Sequence, residues 1–388
     1  MNESPPLFAK AEFRKRYNTL KSKLKDLSLS IIFSRADLTY YSGIGMDGVL
    51  ILADELHHYV RRNLPLAEME SELPVSEMAS FRLFKTIAKN LKIESIGLEL
   101  DIVPYKTIKY IENAFGNPEI KDISPALRQI RSVKSEEEIK LMEKACKQTD
   151  ESFEYIQDKI KPGVTELDLS AEIDHFLRRQ GHPGFVQIRN FQHNYTTNGY
   201  VMAGESTITL NSMFGPVSGQ GLSKMHKNGP SRRKIRDHDA VLIDTTGVWE
   251  GYTADETRTF FVGNVDPNLE EAYEVAKQVQ NHVKKNLVES KNPKDLYFEL
   301  NELVTELGYF ESFMGPKNDK VAFIGHGVGL ELDEFPIITS GYDTPLVSGQ
   351  LVAMEPKFIF PALKSGVGIE DTWVVGKNQA RRLTQFPW

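Results

Sequence analysis

Four carboxylates stand in strand-like runs that ordinarily exclude them. Asp244 closes "AVLID", Asp255 lies in "GYTADETRTFF", Glu355 in "LVAMEP" and Glu370 in "GVGIED". Aspartate is disfavoured inside sheets, and a buried carboxylate without a partner is costly or shifts its pKa. Each acid alone is explained by a strand end in water or by a salt bridge to one of many basic side chains. Together with His326, held between glycines in "GHGVGLELDEFP", they form a set that cations would neutralise. Hard oxygen ligands with one imidazole suit a pair of divalent ions such as Mn, Co or Zn. Two ions a few Å apart hold a bridging hydroxide and polarise a carbonyl, and a metal lowers the pKa of bound water from about 15.7 to roughly 7. That chemistry hydrolyses amides.

Such residues need a scaffold. Strand-like runs cover 240–244, 257–263, 351–356 and 366–376, so three of the four acids fall inside one and Asp255 lies just before another. Helices flank them. "SVKSEEEIKLMEKACKQTDESFEYIQDKI" opens with Ser135 and Glu138 at capping-box spacing, and carries an apolar stripe through Ile139, Met142, Cys146, Phe153, Ile156 and Ile160. Thr165 or its neighbour caps a second helix that stops at Gly181. Asp266 with Pro267 starts a third, and a fourth ends on Gly308. A β-rich floor with helices outside is the simplest arrangement. Residues 186–238 are polar, Gly-rich and weakly periodic, as a covering loop would be. Before all this, strands at 28–34, 48–54 and 95–101 alternate with helical patterns, one expected over 76–91. That alternation predicts a separate α/β layer domain over residues 1–125.

Composition narrows the partners. A chain of 388 residues exceeds what one compact core usually needs, so two domains are expected. A net charge of −7 does not favour nucleic acid or anionic membranes. Cys146 is the sole cysteine, which fits a reducing compartment, and no apolar run approaches the ~20 residues of a membrane span. A cytoplasmic enzyme is expected.

The motifs resemble a known family. "DTTGVWEGYTADETRTFFVG" is similar to the Asp-x-Gly and Gly-Tyr-x-x-Asp-x-x-Arg-Thr-Phe pattern of the pita-bread metallopeptidases, which include Xaa-Pro aminopeptidase, prolidase, methionine aminopeptidase and the non-peptidase creatinase. "GHGVGLEL", "MEP" and "GIED" follow in the family's order. The resemblance implies an α+β architecture: a pita-bread catalytic domain over 126–388 behind a creatinase-type α/β domain. It also implies five metal ligands for two divalent ions. Asp244 would chelate one ion, His326 and Glu355 the other, and Asp255 and Glu370 would bridge them. Glu355 would also take the proton of the attacking water. His226, eighteen residues before Asp244, resembles the family's substrate-side histidine. Relatives of the prolidase branch are commonly homodimers.

The pattern breaks at three places. Asp333 stands where the family usually has a second histidine, seven residues after the ligand histidine, and an ionised Asp cannot donate a hydrogen bond to a substrate carbonyl. His226, Arg189 and Lys357 are cations that could neutralise it. Gly368 stands where the prolidase branch carries Arg, and Ala322 where it carries a further His. The expected function is therefore a dinuclear aminopeptidase or dipeptidase acting on a short peptide or amide, with weak or absent preference for Xaa-Pro bonds. The alternatives are a binding module on the same fold and a creatinase-like amidinohydrolase. The intact ligand set argues against both.

Overall fold

The computed structural model describes residues 7–89, 91–190, 195–196, 198–210 and 215–388. The chain forms two compact units. The first takes in the chain up to Arg131 with the short segment at Arg189, and the second takes in the rest from Ser132.

In chain order the first unit contains α1 (Lys10–Lys23), β1 (Leu29–Ile32), α2 (Arg35–Ser42), β2 (Gly48–Leu52), β3 (Leu56–Val60), α3 (Leu64–Glu70), β4 (Val75–Glu77), α4 (Arg82–Ala88), β5 (Ser95–Leu98), α5 (Tyr105–Phe115) and β6 (Glu119–Asp122). Helix α6 (Ser124–Ser132) closes it, so the division falls where that helix ends. Its Arg131 reaches back to Asp37 at 3.2 Å, both fully buried. The strands form one sheet in the order β4-β3-β2-β1-β5-β6. Leu29, Ile31, Val49, Ile51, Ile96 and Leu98 pack its core with Phe84 and Phe115. The helix expected over 76–91 is shorter than its apolar pattern. Val75–Glu77 instead pairs in parallel with β3, and the Ser80 hydroxyl accepts from the Arg82 amide where the helix starts.

The second unit begins with α7 (Glu136–Ile156) and α8 (Glu166–Arg179). Ser135 caps α7 in the capping box that its spacing predicts, and Thr165 caps α8 in a second one closed by Asp168. The weakly periodic region contributes short strands, β7 (Val186–Gln187), β8 (Tyr195–Thr196) and β9 (Tyr200–Ala203). Then come β10 (Ala240–Trp249), β11 (Tyr252–Phe261), α9 (Pro267–Asn286) and α10 (Pro293–Glu306), followed by β12 (Phe323–Gly327), β13 (Glu334–Thr339), β14 (Leu351–Met354), β15 (Lys357–Phe360), β16 (Ser365–Gly368), β17 (Asp371–Val374) and β18 (Arg381–Arg382). They make a three-stranded sheet β11-β10-β9, a five-stranded sheet β13-β12-β14-β17-β18 and the hairpin β15–β16. Helices α9 and α10 bury Val279, Val283, Leu296 and Leu300 against one side, while α7 and α8 bury Phe153 and Ile173 beneath β9 and β10. Gly247 of β10 lets α7 approach: a Cβ there would lie 2.1 Å from the Ala145 carbonyl oxygen. Among the described residues no helix is long and apolar enough to cross a membrane.

Candidate metal centre

The β10–β11 hairpin turns through Glu250 and Gly251, both at positive φ, the geometry that two-residue hairpin loops favour. That turn fixes the register. Asp244 stands opposite Thr257, and Asp255 opposite Thr246. Side chains two positions apart share a face, so Asp244 and Asp255 emerge side by side.

His326 lies in the middle strand of a triple, opposite Ile337 on β13 and Ala353 on β14. Its flanking glycines answer to crowding. A Cβ at Gly325 would come 2.5 Å from the Ala353 carbonyl oxygen, and one at Gly327 would come 2.2 Å from that of Phe335.

The two glutamates occupy matching switch points. β14 pairs with β17 and β15 pairs with β16, so each of the two chain segments changes partner sheet midway. Glu355 sits at one change and Glu370 at the other. The Glu355 amide donates to the Ile324 carbonyl, and Glu370 exchanges both backbone bonds with Thr257. The single strand expected over 366–376 is therefore two strands broken at this acid.

These elements bring Asp244, Asp255, His326, Glu355 and Glu370 to one pocket, lined also by Asp333. His326 Nε2 is 3.8 Å from Asp255 Oδ2, Glu355 Oε1 and Glu370 Oε1. Ligand atoms of Asp255, His326 and Glu370 lie within 4.8 Å of one another. His326 Nδ1 faces the Gly327 carbonyl oxygen at 3.1 Å. A carbonyl only accepts, so Nδ1 carries a proton and Nε2 is the ring nitrogen that an ion would take. Burial opposes the ring's charge, but Asp333, Glu355 and Glu370 outweigh it and raise its pKa.

These donors fit a divalent cation. Asp255 Oδ1 and Glu370 Oε1 are buried without a hydrogen-bond partner among the described residues. Ligands bonded to one ion at about 2.0–2.2 Å stand about 3–3.5 Å apart, so the groups around Nε2 need to close by only a few tenths of an Å. Electrostatics agree. Burial first, then Glu370 and Asp244, push the Asp255 carboxyl well above its usual range. Burial likewise raises Asp244, against Lys357.

Lys357 is the residue that sequence reasoning misplaced. It was a candidate partner for Asp333, but its Nζ donates to Glu355 Oε2 at 2.7 Å, Glu370 Oε2 at 3.0 Å and Asp244 Oδ2 at 3.2 Å. Burial opposes its charge, but these three carboxylates outweigh that and hold it protonated well above the usual lysine range. A signal existed, because Lys357 follows Glu355 by two residues in an extended run, the spacing of one sheet face. Thr257 was also missed; its hydroxyl donates to Glu370 Oε2 at 2.9 Å.

Asp333 is half-buried, with Oδ1 3.7 Å from His326 Nδ1. Arg189 is held in ion pairs to Asp37, Glu99 and Asp101 of the first unit. His226 is not brought to the acids. It is exposed in a tight turn, where its amide donates to the Ser223 carbonyl, and it does not line the pocket. The expectation of a substrate-side role rested on spacing through an irregular segment, where spacing carries no direction.

Comparison with known proteins identifies the family. Residues 140–377 match the model of metallopeptidase family M24, and residues 16–133 match the creatinase/prolidase N-terminal domain. A Xaa-Pro dipeptidase of Pyrococcus furiosus is 27% identical over 384 residues, covering 96% of this chain and 98% of its own. A Xaa-Pro dipeptidase of Pyrococcus horikoshii is 28% identical over 344 residues, covering 87% of this chain and 86% of its own. The crystal structure of the prolidase from Pyrococcus horikoshii OT3 superposes with a TM-score of 0.79 at 25% identity, covering 97% of this chain and 99% of that one.

Proposed function

The chain belongs to metallopeptidase family M24, with a creatinase-type N-terminal domain and a pita-bread catalytic domain, and from that premise we propose that it is a divalent-metal-dependent dipeptidase. The observation that carries the reading is the convergence of Asp255, His326 and Glu370 on one point in the pocket. Neither a binding module nor a metal-free amidinohydrolase has need of that intact donor set.

Asp255, His326, Glu355 and Glu370 would hold an ion on the Nε2 side, and Mn, Co or Zn suits three carboxylates with one imidazole. Bound there, it would acidify a water and polarise the scissile carbonyl. Asp244 completes the five donors that the resemblance assigns to two ions. The remaining work falls to the chain. Glu355 has one oxygen, Oε1, facing His326 Nε2. It is the group that receives the proton of the attacking water and returns it to the leaving amine. Asp333 stands at the mouth of the site, where an ionised carboxylate accepts rather than donates. It orients the free α-amine of a short peptide instead of stabilising a developing oxyanion.

Two substitutions bear on specificity. Asp333 and Gly368 occupy positions where the resemblance places His and Arg, and the guanidinium is a group that could orient a substrate carboxylate. We therefore expect hydrolysis of dipeptides with weak preference for Xaa-Pro bonds, in a homodimeric cytoplasmic enzyme. Purified protein loaded with Mn, Co or Zn, then screened against dipeptides, tripeptides and Xaa-Pro peptides, tests this. Cleavage confined to Xaa-Pro bonds would refute the specificity, and no cleavage with any of the three metals would refute the function. Gel filtration of the same sample checks the dimer.

A further inference from the structure

The two oxygens of each site glutamate face different partners. Glu355 Oε1 and Glu370 Oε1 look toward His326 Nε2, both at 3.8 Å. Their Oε2 atoms look the other way, onto Lys357 Nζ at 2.7 and 3.0 Å, and Asp244 Oδ2 meets the same ammonium at 3.2 Å. An ammonium has three N–H groups. Here three carboxylates take them, in a place where the Lys357 side chain is 1% exposed.

The scaffold is built around that lysine. Lys357 pairs directly with Gly368 across the β15–β16 hairpin. A Cβ on residue 368 would lie 2.5 Å from Lys357 Cγ. The missing side chain at 368 is what lets the lysine stem cross the hairpin to the acids. The cation that the prolidase branch would carry at 368 is absent, and one arrives from the opposite strand.

We infer that the Lys357 ammonium takes the place of one of the two ions, so that the centre holds a single divalent ion on the His326 side. Asp255, His326, Glu355 and Glu370 are then its donors, and Asp244 is a partner of the ammonium rather than a metal ligand. An ion chelated by both Asp244 oxygens and shared with Glu370 would compete for Asp244 Oδ2 and Glu370 Oε2, which Lys357 already holds. It would also place a second cation beside the ammonium, and like charges repel. This inference rests on the metallopeptidase reading and refines it.

The test is metal stoichiometry, with dipeptide hydrolysis recorded on the same samples. Protein loaded with excess Mn(II) and dialysed should retain about one equivalent by elemental analysis, as a single closed site does. Anomalous diffraction from those crystals should give one peak, next to His326 Nε2. Lys357→Ala should take up a second equivalent and show a second peak against Asp244. The wild-type peak count does not depend on the variant folding. Two equivalents in the wild type, with hydrolysis intact, would overturn the single-ion assignment and leave the peptidase standing. No retained ion and no hydrolysis would overturn both.

Discussion

At the scale of single residues, each donor makes a separable claim. Asp255 and Glu370 both carry a buried oxygen without a hydrogen-bond partner among the described residues, so Asp255→Asn and Glu370→Gln remove charge where it is needed. Each variant should lose most of its bound metal and at least a hundredfold in kcat/KM, about 3 kcal/mol of transition-state stabilisation. Normal metal content in both variants would exclude them as ligands. Asp333 should behave in the opposite way. A carboxylate about 4 Å from a substrate ammonium attracts it by about 4 kcal/mol at an effective dielectric of 20, an attraction that a neutral histidine lacks. Asp333→His should therefore change rate or dipeptide preference by more than about tenfold while metal content stays constant. Collapse of metal content in that variant would make Asp333 a ligand. The acids were legible because carboxylates in apolar strands contradict their surroundings. Lys357 was harder to read, since a lysine beside a hydrophobic run looks like a solvated strand edge until its opposite residue, Gly368, is known.

At the scale of elements, helices announced themselves and sheet changes did not. Ser135, Thr165, Asp266 and Asn292 cap the helices of the second unit, three of them named from sequence, because capping is a local contract between neighbouring residues. The breaks at Glu355 and Glu370 are non-local. They exist because β14 and β15 pair with different partners, which no window of sequence contains. One contact between elements can be tested directly. Gly247→Ala drives a Cβ to within 2.1 Å of the Ala145 carbonyl, so β10 must move away from α7. Overpacking of this kind costs about 1–3 kcal/mol. Because Asp255 stands opposite Thr246, the residue before Gly247, metal affinity should fall with it. An unchanged denaturation midpoint would show that α7 yields freely. On β3 the lever is pH. His58 is fully buried, and neither ring nitrogen has a partner among the described residues. Burial, and then neighbouring His57, lower its pKa to about 4.

At the scale of the whole molecule, that histidine and the metal centre act on different bodies. His58 belongs to the first unit, and every proposed metal donor belongs to the second. Each unit has its own hydrophobic cluster, the condition for unfolding on its own. The sign of the pH effect follows from the direction of the shift. Between pH 6.5 and about 4 the unfolded chain binds a proton at His58 that the folded chain refuses, so stability falls as pH falls through that window. The loss reaches about 3 kcal/mol when the window has been crossed. His58→Leu should remove most of this acid sensitivity. The metal acts in the other direction and elsewhere. A ligand bound only by the folded form stabilises by about 2.7 kcal/mol at a hundred times its Kd. Calorimetry at pH 7.5 and 4.5, with and without Mn(II), should therefore show two transitions with separate responses. Acidification should lower both, because burial also drops the pKa of His182 in the second unit to about 4, but His58→Leu should protect only the first. Metal at pH 7.5 should raise only the other, and Asp255→Asn should abolish that rise. A single transition moved by both levers would mean that the two units unfold as one. The stability of the catalytic unit would then depend on a histidine outside it.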